Sequence, residues 1–314
     1  MPYAGWVAPR GHRAWIMGLA VTLVAAMTPA VAQKAAAPAG TLKRIQQAGK
    51  IRFGYRVDAR PFSYKDESGN AAGYSVAMCM KVADAVKAEL AAPTLGVEWV
   101  PVSLEDRFNL LAQGKVDLLC GADTPTLARR KELAFSIPIF PGGIGALLRR
   151  DAPTHLQDVL MGRKSNEPTW RASAGQLLSA QTFAVVTGTT AQPWLAKKVT
   201  DFQLTAKVVP VDGYATGVQQ VLDRQASVFF GDRAILLDAA VRNASAKDLV
   251  VLDRSFTYER LSLALARDED FRLVVDRALS QVYASGDING LYTKWFGAPD
   301  ANAVNFFRWF TLPE

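Results

Sequence analysis

Cysteine and histidine are scarce. The chain has two of each in 314 residues: Cys79 and Cys120, His12 and His155. Two cysteines are too few for a thiolate zinc site, and the two histidines add nothing to them. The sequence supports neither a metal site nor a cofactor. Long apolar runs are scarce too. After residue 32 none approaches the roughly 20 residues a helix needs to span a bilayer. A block of one charge is also missing. The formal net charge is +7, but the basic residues are scattered through amphipathic patterns and form no arm. That argues against a nucleic-acid partner and leaves a mild bias toward anionic ligands or surfaces.

What is present begins at the N-terminus. Arg10 and Arg13 precede an apolar run from Ala14 to Met27, and Ala30-Val31-Ala32 follows. A basic start, an apolar core and a small-residue site predict a secretory signal at residues 1–32, cut after Ala32. Pro29 and the small residues after Met27 favour cleavage over anchoring. No cysteine lies near the cut, so a lipid anchor there is not expected. Removing Arg10 and Arg13 leaves about 7 − 2 = +5 on the mature chain. Residues 33–40 read as a flexible Ala/Pro segment. In an exported protein, a single pair of cysteines suggests one disulfide. Half of all residues are hydrophobic and 21% are charged, and the length suits two lobes with separate cores.

The most informative stretch runs from Asp117 to Phe135, DLLCGADTPTLARRKELAF. Val116 to Cys120 has the length of a strand. Gly121 to Thr126 is rich in turn residues and hydrogen-bonding groups. From Leu127 the pattern is helix-like and carries Arg129, Arg130 and Lys131. A strand, a polar loop and an arginine gather N–H groups and a planar guanidinium around one point. That donor set suits a carboxylate, although a solvated basic face has the same pattern. Further on, Thr187-Gly188-Thr189-Thr190 follows a strand and opens a helix. The free N–H groups there suit an anion, and plain capping explains them equally. Asp232 follows the strand Ala226 to Phe230, where it can cap the next helix.

In this order the motifs resemble the polar amino-acid branch of the extracellular solute-binding proteins that serve ABC importers. The resemblance extends from Leu42 to about Gly297. It includes Gly54-Tyr55-Arg56, Gly73-Tyr74-Ser75, Phe135-Ser136-Ile137-Pro138, Gly188-Thr189-Thr190 and the terminal Leu291-Tyr292-Thr293-Lys294-Trp295-Phe296. It implies an α/β fold of type II: two lobes, two crossovers and a ligand cleft between them. Residues 41–142 with 258–314 would form lobe 1 and residues 143–257 lobe 2. It implies that Thr124, Arg129, Thr189 and Thr190 hold an α-carboxylate, that Asp232 takes the α-ammonium and that Ala122 also lines the ligand site. In the glutamate/aspartate-binding branch, arginines at the positions of Arg56 and Arg107 pair with a side-chain carboxylate. Leu104 and Ala122 stand where that branch supplies serines, and Tyr214 where it often carries a histidine. Members of the family often bridge the positions of Cys79 and Cys120. The aromatics of the terminal motif read as packing.

The resemblance thus implies a monomeric periplasmic protein that passes a free amino acid to a membrane permease. An exported enzyme on the same scaffold, such as a cyclohexadienyl dehydratase, stays open as the alternative. Asp123 is its candidate general acid. An accessory protein whose cleft is filled by its own side chains is a third reading. Gly142-Gly143 and Gly145 at the first crossover suggest a hinge, and 162–175 suggests a surface insertion.

Overall fold

The computed structural model of the chain describes residues 40–163 and 171–313. The predicted signal with its cleavage site, residues 33–39 and residues 164–170 of the predicted insertion lie outside the described residues. Two sheets organise what is described, and both belong to one unit, residues 39–314. The first contains β1 (Lys50–Arg56), β2 (Gly96–Val102), β3 (Leu118–Asp123), β4 (Ala134–Phe135) and β5 (Phe140–Gly142). The second contains β6 (Ile144–Arg149), β7 (Thr182–Val186), β8 (Lys207–Val211), β9 (Val228–Asp232) and β10 (Leu249–Val251). The chain then returns, and β11 (Glu259–Leu265) inserts into the first sheet.

Strand order is β2-β1-β3-β11-β4 in the first sheet, with β5 on β11, and β8-β7-β9-β6-β10 in the second. Each sheet has a parallel centre and an antiparallel crossover strand beside it. β1 runs parallel to β2 and β3, and β11 antiparallel to β3. β7 runs parallel to β8 and β9, and β6 antiparallel to β9. The parallel strands are covered on both faces, so they read as near-continuous apolar runs, such as Phe183-Ala184-Val185-Val186 and Val228-Phe229-Phe230, all buried. Carboxyl ends of parallel strands are where open α/β sheets place ligands. Arg56, Asp123, Val186 and Asp232 all stand at such ends.

Cys79 and Cys120 form a disulfide with Cα atoms 6.0 Å apart, tying the helix Tyr74–Glu89 to β3. The C-terminal aromatics pack as expected. Tyr292 stacks on Phe140 at 5.9 Å and Phe296 lies 4.5 Å from the same ring.

Two local expectations change. Gly121, Ala122 and Asp123 extend β3 rather than form a loop, because β11 pairs with the strand as far as Asp123 opposite Ser262. The helix-like run after Leu127 shrinks to a single 3-10 turn, Arg129–Lys131. Pro125 lies before it and β4 is claimed by β11 at Ala134, which leaves no length for a helix. The crossover glycines, expected at a hinge, gain a steric reason, since they allow a close approach without a positive φ. Gly142, Gly143 and Gly145 are absent from the positive-φ glycines, and a Cβ on Gly143 would sit 2.2 Å from the Thr257 carbonyl oxygen. The two crossovers touch there, and only hydrogen fits.

Candidate functional site

Between the two sheets lies a small cavity of about 40 Å³. All eight ligand residues expected from the sequence border it: Arg56, Arg107, Ala122, Thr124, Arg129, Thr189, Thr190 and Asp232. Leu104 and Tyr214 border it as well. Residues up to 176 positions apart in sequence (232 − 56) converge because strand ends and helix starts of both sheets face one gap.

The three arginines differ in their partners. Arg107 is buried, and its Nε donates to Asp123 Oδ1 at 2.8 Å. A terminal nitrogen also donates to the Leu104 carbonyl, and the guanidinium lies 3.9 Å from the Phe108 ring centre. Arg56 is buried too. Its Nε donates to Asp58 Oδ1 at 2.7 Å, and its amide donates to Ser63. Neither Asp58 nor Asp123 borders the cavity. These carboxylates hold the arginines from behind, where attraction within a buried pair offsets the cost of desolvation only if geometry is good. Arg129 is the exception. It donates to the Thr124 carbonyl at 2.9 Å and, across the gap, to the Gly188 carbonyl at 3.2 Å. Among the described residues no carboxylate lies within 4.0 Å of it. Burial lowers its pKa below the ordinary guanidinium value, with the Asp123 charge acting the other way.

Asp232 is a helix cap that also borders the cavity. Its Oδ1 caps the helix Arg233–Arg242, accepting from the amides of Ala234 at 3.0 Å and Ile235 at 3.2 Å. The same side chain borders the cavity and has no cation within 4.0 Å among the described residues. Desolvation pushes its carboxyl up to about 7, against the two amide bonds, and the nearby Glu259 charge adds to the rise. Tyr214 Oη accepts from the Asp232 amide at 3.1 Å and so fixes the turn. Burial raises its phenol above the ordinary value.

At the opposing helix start, Thr190 is the N-cap residue of Ala191–Asp201 but makes no side-chain cap. Its hydroxyl donates to Glu259 Oε2 at 2.8 Å. Thr189 turns back and donates to the Val186 carbonyl at 2.7 Å. Thr124 also donates to Glu259 Oε2, at 2.7 Å. Glu259 is the residue the sequence reading missed. It opens β11 beside the exposed Tyr258, in a stretch without motif character. The available signal was a lone acidic residue at the mouth of a returning crossover strand.

The family assignment follows from similarity along the chain. Residues 51–298 match the model of bacterial extracellular solute-binding proteins, family 3. The chain belongs to that family. It is 30% identical over 285 residues to the L-glutamate/L-aspartate-binding protein of Pseudomonas aeruginosa, covering 90% of this chain and 87% of that one. It is 27% identical over 283 residues to the glutamate/aspartate import solute-binding protein of Escherichia coli, with 90% and 87% covered. Among solved structures, an ancestral amino acid-binding protein that is a precursor of cyclohexadienyl dehydratase superposes with TM-score 0.63 at 26% identity, over 82% of this chain and all of the other. An ancestral arginine-binding protein bound to arginine superposes with TM-score 0.64 at 22% identity, over 79% and 99%. The fold is therefore the two-lobe, type II periplasmic binding-protein fold, with the cavity between the lobes.

Proposed function

We propose that this protein captures a polar L-α-amino acid, glutamate or aspartate first, and delivers it to the membrane permease of an ABC importer. One observation carries the reading. Arg129 and Asp232 border the same cavity from opposite lobes, and neither has an ion partner among the described residues. A buried charge is stable only when paired. An α-amino acid brings one charge of each sign at a fixed short spacing, and it completes both.

In this reading Arg129 and the amides at the Thr189-Thr190 helix start take the α-carboxylate. Ala122 and Thr124 also border the cavity, and Asp232 takes the ammonium. Arg56 and Arg107, aimed by Asp58 and Asp123, face the ligand side chain. The names of the two relatives at 30% and 27% identity support glutamate and aspartate as first ligands. Lobe 1 comprises 41–142 with 258–314 and lobe 2 comprises 143–257, with the glycine contact at Gly143 between them. A cavity of about 40 Å³ admits a few waters and no free amino acid. Entry therefore needs the lobes to part, and closure satisfies both lobes at once. The protein works outside the inner membrane, released by cleavage after Ala32, as a monomer.

The binding reading is favoured over the enzyme reading by the place of Asp123. The candidate acid is 4% exposed, faces Arg107 and does not border the cavity. A general acid must reach its substrate. Isothermal titration of the mature protein against amino acids and prephenate tests the choice. Tight binding of an amino acid without turnover of prephenate is the expected result, and dehydratase activity overturns it.

A further inference from the structure

Glu259 has an unusual set of partners. Its Oε2 accepts two hydroxyl protons, from Thr124 in lobe 1 and from Thr190 in lobe 2. Its Oε1 accepts a third, from Thr257 at 3.0 Å. Thr257 Oγ1 in turn accepts from the Ile144 amide at 3.0 Å, across the paired crossovers. Glu259 is thus bonded from both lobes and from the connection between them. Yet among the described residues no lysine or arginine nitrogen lies within 4.0 Å of it. The charges bordering the cavity without an ion partner are therefore two carboxylates, Asp232 and Glu259, against one guanidinium, Arg129. That excess suits a cationic group on the ligand, such as an α-ammonium.

The hydroxyls carry the argument further. A threonine hydroxyl has one proton and two lone pairs. Once the protons of Thr124 and Thr190 point at Glu259, both oxygens can only accept toward the cavity. Acceptors bordered by two carboxylates match a donor-only group, which is what an ammonium is.

We propose that Glu259 is a ligand-reading residue of this site: it orients Thr124 and Thr190 as acceptors for the ligand ammonium, shares its charge with Asp232, and couples ammonium recognition to lobe closure. The inference rests on the amino-acid reading above and deepens it. It leaves the α-carboxylate to Arg129 and the backbone amides.

The test is a thermodynamic cycle between residue and ligand. Wild-type protein and Glu259→Gln are titrated with L-glutamate and with 2-hydroxyglutarate, in which a neutral hydroxyl replaces the ammonium. L-aspartate and malate form a second pair. Weak binders are read by competition. Glu259→Gln is expected to weaken the amino acid by about tenfold or more, the scale of one lost charge-assisted contact. The hydroxy acid should change by less than about threefold on the same scale. Equal weakening of both ligands would make Glu259 a merely structural residue and overturn the proposal, as would no weakening of either. If Glu259→Gln fails to fold, as judged by circular dichroism, Thr190→Val serves in its place, with the same direction expected. If the wild type binds no amino acid at all, the parent reading fails. If it binds one and the preference for the ammonium survives Glu259→Gln, this inference alone fails.

Discussion

Two side chains define the site at the residue scale, and each can be tested alone. Among the described residues Arg129 has no carboxylate partner, and it lies against the Phe108 ring at 5.0 Å. Replacing it by alanine strips the one cation that, among the described residues, borders the cavity without an ion partner. Arg129→Ala is expected to cost about 2–5 kcal/mol of ligand affinity, the usual range for truncating one partner of a desolvated charge pair. Titration calorimetry measures it, and unchanged affinity would retire the assignment. Asp232 predicts a pH dependence. Burial pushes its carboxyl up to about 7, and an ammonium requires the ionised form. Affinity should be full above pH 7 and fall below it by at most about tenfold per pH unit. Stability runs the opposite way. The folded value lies above the ordinary carboxyl value of 3.8, so this group's contribution is complete below that value and is lost as pH rises through about 7. Asp232→Asn should flatten both profiles. A flat affinity profile in the wild type between pH 5 and 8 would exclude Asp232 as the ammonium partner.

Elements explain how these residues meet. The two crossovers run against each other at Gly143 and Thr257, where a Cβ would stand 2.2 Å from a carbonyl oxygen. Gly143→Ala must push one crossover off the other, and by the general cost of overpacking it should destabilise the fold by about 1–3 kcal/mol. Urea unfolding gives the value, and a neutral result would mean the crossovers separate freely. The disulfide is the second restraint. It closes 41 residues between Cys79 and Cys120, for which loop-closure entropy gives about 4 kcal/mol. A Cys79→Ala, Cys120→Ala double variant should unfold at markedly lower urea while keeping its ligand preference, because neither sulfur borders the cavity.

Much of this was legible in the residues themselves. Runs such as Phe183 to Val186 announce buried strands, and Thr187 to Thr190 announces a strand passing into a helix. The ends of such strands then mark the cleft. Pairing partners were not legible. The Arg107–Asp123 pair spans 16 positions and exists because β3 extends to Asp123 under the pull of β11. Glu259 meets Thr124 across 135 positions and Thr190 across 69. No periodicity encodes such meetings, which arise only when the return strand threads between the lobes. The same strand shortened the expected helix after Leu127.

For the whole molecule, the account is one of complementary halves. Among the described residues Arg129 and Asp232 border the cavity without an ion partner, and Glu259 accepts from Thr124 and Thr190. In the proposed reading a zwitterion completes both charges at once. Family membership and fold agree with capture and delivery. Leu104, Ala122 and Tyr214, which depart from the glutamate/aspartate pattern, border the same cavity as Arg129 and Asp232. The most direct test is titration calorimetry of the mature protein with the common L-amino acids, each repeated with the Arg129→Ala, Asp232→Asn double variant. The account predicts a tight one-to-one complex with a polar amino acid, glutamate or aspartate first, that the double variant abolishes. Binding that survives the loss of both charges, or no binding of any amino acid by the wild type, would contradict it.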